Sequence, residues 1–189
     1  MPDYTLSARS PLNGYDHDFA GARIAETPGF ALVSIATNPA NKSTLAVSVK
    51  KAFGLALPDG GTSASKGAYT LISSAADQWL LRFAHSDGTD PSVLVRTKLG
   101  TGPAVTDQSD NWVQVEVSGP RATETLERIC PLDLNEQVFT KGRVGRTSME
   151  HLGTIICKQA DDGTFLLMSA SSSAQSFLHA IQVSAKNTL

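Results

Sequence analysis

Apolar and polar positions fall into short alternating runs separated by stretches with helical spacing. "GFALVSIAT", Gly29 to Thr37, has the composition of a strand. In the following "NPANKSTLAVSVKKAFG" two periods compete. Leu45, Val47 and Val49 alternate as in a strand, whereas Leu45, Val49, Ala52 and Phe53 fall on one helical face. Gly54 suits a helix end, and Lys42, Lys50 and Lys51 suit a solvated side, which favours the helix. "LALPDGGTSASKG" reads as a loop. "AYTLISS" and "WLLRFA" read as the arms of a hairpin turned by "AADQ". "DGTDPSVLVRTKLG" reads as a helix capped by Thr89 or Asp90, with Pro91 in its first turn and Gly100 at its end. "AVTDQS" is a short extended link.

A second series follows. In "WVQVEVS", Val113, Val115 and Val117 point one way and Gln114 and Glu116 the other, which predicts a strand with one wet face. Gly119-Pro120 breaks it, and proline suits a helix start because its missing N–H has no partner there. In "RATETLERIC", Ala122, Leu126, Ile129 and Cys130 share a face, Glu124 is spaced to pair with Arg128, and Pro131 stops the helix. "GRVGRTSMEHLGTIICKQ" contains an extended stretch near Thr154 to Lys158, and "ADDG" turns it into "TFLLMSA". "SSSAQSFLHAIQVSA" carries a stripe of Ala174, Phe177, Leu178 and Ile181 and closes the chain as a helix.

The order strand, helix, strand, turn, strand, helix thus appears once from Phe30 and again from Trp112. Pro39 leads to Leu45 with the spacing by which Pro120 leads to Leu126, and "ADQWLL" returns loosely as "DGTFLL". The expected class is α+β, with two ferredoxin-like βαββαβ units over residues 29–108 and 109–189. Residues 1–28, with Pro11 and Asn13-Gly14, read as an extended N-terminal arm with turns. Each unit covers one sheet face with two helices and leaves the other for its companion or for a partner.

The chain's 189 residues allow a sizeable core, and a net charge of −2 gives no cationic face for nucleic acid. No apolar run is long enough to span a bilayer, and the start lacks the basic-then-apolar pattern of a secretory signal. Two cysteines make no disulfide framework, and a cytoplasmic setting is expected.

Candidate reactive groups read as scaffold. Cys130 sits at a helix C-terminal end on the apolar face, where a thiol is not activated, and Cys157 lies in an apolar strand run. Cys130, Cys157, His151 and His179 lack the short spacings of a zinc site. Asp16-His17-Asp18 lies in a turn-rich segment and reads as a solvated cluster. Ser118 lacks a nucleophile elbow, and "LPDGGTSASKG", despite Lys66, lacks the ending that holds phosphate. Trp79 and Trp112 are core or interface anchors; their place at strand starts favours the core, and each indole N–H needs an acceptor. No catalytic, cofactor-binding or metal-binding residue is expected. Arg9, Pro11 and Leu12, in the exposed and apolar-tipped "RSPL", are candidates for contact with another subunit.

"VTDQSDNWVQVEVSGPRATETLERICPLDL" resembles the signature of the gamma subunit of heterotetrameric sarcosine oxidase. "RSPL", "AFGLALP" and "DQWLLRF" agree with it. "DQSDNWVQVEVSGP" alone is also similar to folate-dependent aminomethyltransferases such as the T-protein of glycine cleavage. The resemblance implies a fold akin to the N-terminal part of those enzymes. It implies a non-catalytic chain in a complex that oxidises sarcosine to glycine, with hydrogen peroxide and 5,10-methylenetetrahydrofolate as further products. FAD, FMN, NAD, tetrahydrofolate and zinc are then expected in the partner alpha, beta and delta subunits and none in this chain. The segment that supplies the catalytic carboxylate in the aminomethyltransferases has as its counterpart "KGRVGRTSMEHLGTIICK", with Glu150 but no Asp-Asp pair. The chain also ends where those enzymes continue. Both departures count against the alternative, a stand-alone folate-binding or one-carbon transfer protein.

Overall fold

A computed structural model describes residues 9–86 and 88–188; residues 1–8 of the expected arm lie outside the described residues. The first strands among the described residues, β1 (Asp16–Asp18) and β2 (Arg23–Glu26), form a hairpin. The first unit follows as β3 (Phe30–Ala36), α1 (Lys42–Phe53), β4 (Ser63–Lys66), β5 (Tyr69–Ala75), β6 (Gln78–Ala84), α2 (Pro91–Leu99) and β7 (Ala104–Asp107). The second is β8 (Trp112–Ser118), α3 (Ala122–Glu127), β9 (Val144–Met149), β10 (Leu152–Ala160), β11 (Thr164–Ala170) and α4 (Ala174–Lys186).

Local chemistry accounts for the helices. Asn38 caps a short turn at Pro39–Asn41 by accepting the Asn41 N–H at 3.0 Å, and α1 continues from there. Its Leu45, Val49 and Phe53 are buried, and it stops at Gly54, whose φ of 70° lets its N–H reach the Lys50 carbonyl. Asp90 caps α2 by accepting the Ser92 N–H at 2.8 Å. Thr89 is not the cap.

All strand pairs are antiparallel. One sheet runs β4-β5-β6-β3-β7 and the other β1-β2-β8-β11-β10-β9. The two orders superimpose: β4 matches β9, β5 matches β10, β6 matches β11 and β3 matches β8. The place that β7 holds beside β3 is held beside β8 by β2. In the second βαββαβ unit the last strand is thus supplied by the N-terminal segment, with β2 paired to β8. Within the segment expected as an arm, Asp16–Asp18 and Arg23–Glu26 are strands of this chain's own sheet. Leu12, expected at an exposed tip, is buried against this chain's core. Its apolar side chain gains more from that packing than from solvent, and Glu26 fixes the turn around it.

The "SGP" motif holds this hairpin in place. Gly119 has φ of +105°, and a Cβ there would lie 2.5 Å from the Gly21 carbonyl oxygen. That close approach lets the Arg121 N–H donate to the same oxygen at 2.9 Å.

Three apolar layers result. Helices α1 and α2 cover Ala31, Val33, Ile35, Trp79 and Leu81 on one outer face. Helices α3 and α4 cover Val113, Val115, Val117, Phe165 and Leu167 on the other. The inner sheet faces close on each other through Leu32, Ile72, Leu80, Ile155, Leu166 and Met168. Among the described residues both faces of the central strands of each sheet are thus covered, while β1 at the margin is exposed. The wet face expected of β8 is this inner layer, where Gln114 is buried. Main-chain bonds also join the sheets at one edge: Ser63 N–H donates to Gly142 O at 2.7 Å, and Val144 N–H to Gly61 O at 2.9 Å.

Two local readings change. "SASK", expected as loop, is the edge strand β4, paired from Ser63 to Lys66 with β5. Glu124 pairs back with Arg121 at 3.1 Å, not forward with Arg128. Helix α3 is only six residues long, so Arg128 lies past its end.

Candidate functional site

The inner layer contains one buried cation held without a carboxylate. Arg82 on β6 donates from Nε to Gln114 Oε1 at 2.8 Å and from its terminal nitrogen to Thr27 Oγ1 at 3.1 Å. Its guanidinium stacks 3.6 Å from the Phe30 ring centroid. Gln114 in turn donates to the Phe30 carbonyl at 3.1 Å. Burial pushes the Arg82 pKa down to about 10, partly opposed by Glu116, so the side chain is still charged at neutral pH. The planar group stitches β6 to β8 across the sheets, a task suited to its forked donors. Arg82→Ala is expected to cost about 3 kcal/mol, from a cavity and from the unsatisfied Gln114 and Thr27 oxygens. Urea unfolding checks this, and a wild-type midpoint would refute it.

Beside this layer a cleft of about 530 Å³ opens, lined in part by Arg9, Pro11, Glu26, His85, Asp107 and Gln114. Arg9 and Pro11 are exposed at its rim, apart from Leu12 in the core. Two of its three acids, Glu26 and Asp107, are engaged in turns, and Asp110 also lines it. Glu26 accepts from Ser10 Oγ at 2.8 Å, Leu12 N–H at 3.0 Å and Gly14 N–H at 2.7 Å. Asp107 accepts from the Ser109 N–H at 2.9 Å and hydroxyl at 2.6 Å. His85 Nε2–H donates to the Thr89 carbonyl at 2.8 Å. A carboxylate that already accepts such bonds is held by its turn and is poorly placed to act as a mobile general base.

The other candidates are dispersed. Asp16 pairs with Arg23 on an exposed edge, Asp18 accepts the Gly21 N–H at 2.9 Å, and the His17 ring lies edge-on to Phe19. The Arg23 guanidinium lowers the Asp16 pKa, first through its hydrogen bond. Glu150, the carboxylate of the segment compared with the aminomethyltransferases, sits with His151 at the tip of the β9–β10 hairpin. Both have positive φ and are exposed. Among the described residues no cluster of three or more histidine, cysteine or acidic side chains is arranged to hold a metal ion. Trp79 donates its indole N–H to the Pro58 carbonyl at 2.9 Å and is a core anchor. No helix among the described residues is long and apolar enough to cross a membrane.

Cys130 and Cys157 are both buried and in separate layers. Burial raises both thiol pKa values, and for Cys157 the Ser63 hydroxyl at 3.4 Å opposes it only in part. A thiol kept protonated and covered is a poor nucleophile. Neither is expected to react with an aromatic disulfide reagent in the native chain, while both react in urea. Rapid labelling of native protein would refute this.

Such a body, a doubled α+β sandwich with helices outside and sheets within, resembles aminomethyltransferase in fold. Glycine cleavage system aminomethyltransferase T from Bartonella henselae matches 90% of this chain with TM-score 0.61 at 14% identity. This chain spans 50% of that enzyme. More extensive is the likeness to a chain of heterotetrameric sarcosine oxidase from Corynebacterium sp. U-96, solved in complex with pyrrole 2-carboxylate. There the match covers 95% of both chains, with TM-score 0.81 at 19% identity. No protein-family model and no curated protein sequence matches the chain.

Sequence reasoning missed Arg82 and its partner. The signal was present: an arginine interrupts the apolar run "WLLRFA", and a strand apolar on both sides has no wet face to receive it.

Proposed function

We propose that this chain is a non-catalytic, gamma-type subunit of a heterotetrameric sarcosine oxidase-type complex. One observation carries the reading: the fold match to the oxidase chain covers 95% of both partners, so the likeness is between whole chains. The aminomethyltransferase match, by contrast, covers 50% of that enzyme. The engagement of Glu26 and Asp107 in turns supports a role without chemistry of its own. In this reading the flavins, the nicotinamide cofactor, tetrahydrofolate and zinc lie in the alpha, beta and delta partners. This chain holds those partners in register through its outer surface, and Arg9 and Pro11 contribute at the cleft rim.

Co-expression with the alpha, beta and delta chains of the same organism tests this. The chain is expected to co-elute with flavin absorbance as one stoichiometric assembly that oxidises sarcosine. Stoichiometric binding of tetrahydrofolate by the isolated chain, with no flavoprotein co-eluting, would overturn it in favour of a stand-alone one-carbon protein.

A further inference from the structure

The two helical layers differ in a way the fold does not require. Among the described residues, three of the five exposed large apolar side chains lie on α1 and α2: Val47, Val93 and Leu94. Val47 is 69% exposed although it occupies the middle of α1. It borders a shallow trough with Ala46, Ala56 and Leu57, and Lys50 and Lys51 form the rim. Every charged side chain on α1 and α2 is basic, namely Lys42, Lys50, Lys51, Arg96 and Lys98, in a chain of net charge −2. The α3–α4 layer mixes signs, as in the Arg121–Glu124 pair.

Cations in a last helical turn also complement the helix dipole, so the charge alone is ordinary. Joined to an uncovered valine in an apolar trough, it defines a recognition surface. We propose that the outer face of α1 and α2 docks an acidic, apolar-tipped surface of a larger subunit of the same assembly. An apolar side chain fills the trough beside Val47, and carboxylates around it meet Lys50 and Lys51. This rests on the subunit reading above and adds to it the face used and the chemistry of the partner. A discrete anchor ringed by acids fits better than nucleic acid or an anionic bilayer. Lys50 and Lys51 border an apolar trough, Lys42 is already paired with Asp77 at 3.5 Å, and the chain as a whole is anionic, so no broad cationic face is offered.

The test is co-expression of the full chain with the alpha, beta and delta chains of its organism. Val47→Glu and the double change Lys50→Glu with Lys51→Glu are compared with Val183→Glu on α4. These side chains are exposed, so all variants are expected to keep the wild-type circular dichroism and melting temperature. Each α1 variant is expected to lower the yield of complex on the order of tenfold, and raised salt to weaken the wild-type complex. Val183→Glu is expected to leave the yield unchanged. Undiminished yield with both α1 variants overturns this surface and leaves the subunit reading standing. No complex with the wild type overturns the subunit reading itself. A homodimer of the isolated chain that Val47→Glu dissolves, or binding to anionic vesicles or duplex DNA that Lys50 and Lys51 supply, overturns the proposed occupant.

Discussion

Removal of residues 1–28 is expected to leave no folded, soluble chain. The deletion strips β2 from β8 and uncovers the β8 edge from Val115 to Ser118, the residues paired with Arg23 to Glu26. It also withdraws Leu12, Phe19 and Ile24 from the layer under α3 and α4. Large apolar side chains contribute about 1.5–3 kcal/mol each on full burial. Three of them approach the roughly 5–15 kcal/mol that a whole domain holds in reserve. An unpaired strand edge beside an opened core is an aggregation site. Recovery of soluble chain and its melting curve give the measurement. A truncated chain that stays monomeric with a cooperative transition would show that the hairpin is an accessory. The same deletion is a poor probe of partner contact, since lost capture would follow from lost folding alone.

Gly119→Ala is expected to cost roughly 3–5 kcal/mol, far more than an ordinary glycine replacement. At a φ of +105° an L side chain is strained whatever surrounds it, and here the Cβ would also meet the Gly21 carbonyl at 2.5 Å. That neighbour is backbone and has no rotamer to yield, so the hairpin must move off β8. Gly29→Ala is the matched control. Its φ is +80°, but nothing lies within 4 Å of the added carbon, so only the backbone cost of about 1 kcal/mol remains. Urea midpoints of the two variants separate these terms, and equal losses would refute the clash.

The legible parts of this fold were those written locally. Gly54, Asp90 and Gly100 mark helix ends by their own chemistry, and α1 stops and α2 starts and stops where those residues place them. The edge strand β4 was hidden because "SASK" has no apolar alternation: its side chains are exposed or half-buried at a sheet margin. The pairing of β2 with β8 was hidden because it links distant segments, and no local pattern in "RIAE" names a partner. Gln114 was misread as solvent-facing because a polar residue alternating with valines looks the same whether it meets water or a guanidinium. At the candidate site, "RSPL" drew attention to the right segment but joined two fates. Arg9 and Pro11 stay at the cleft rim, while Leu12 turns inward to the core. The acids of the cleft carried no sequence signal, since Glu26 and Asp107 meet only through the tertiary fold.

The swapped position of β2 has a consequence for how a nascent chain matures. Thr27 meets Gln114 across a separation of 87 residues. At about 5–20 residues per second, a ribosome needs roughly 4–17 seconds to supply the missing neighbour. Throughout that interval residues 30–107 can close on themselves, while the strand made before them waits with Ile24 uncovered. A strand made ahead of the whole first unit thus waits for a partner made after it, and its vulnerability to proteases and to chaperone capture is set by translation speed.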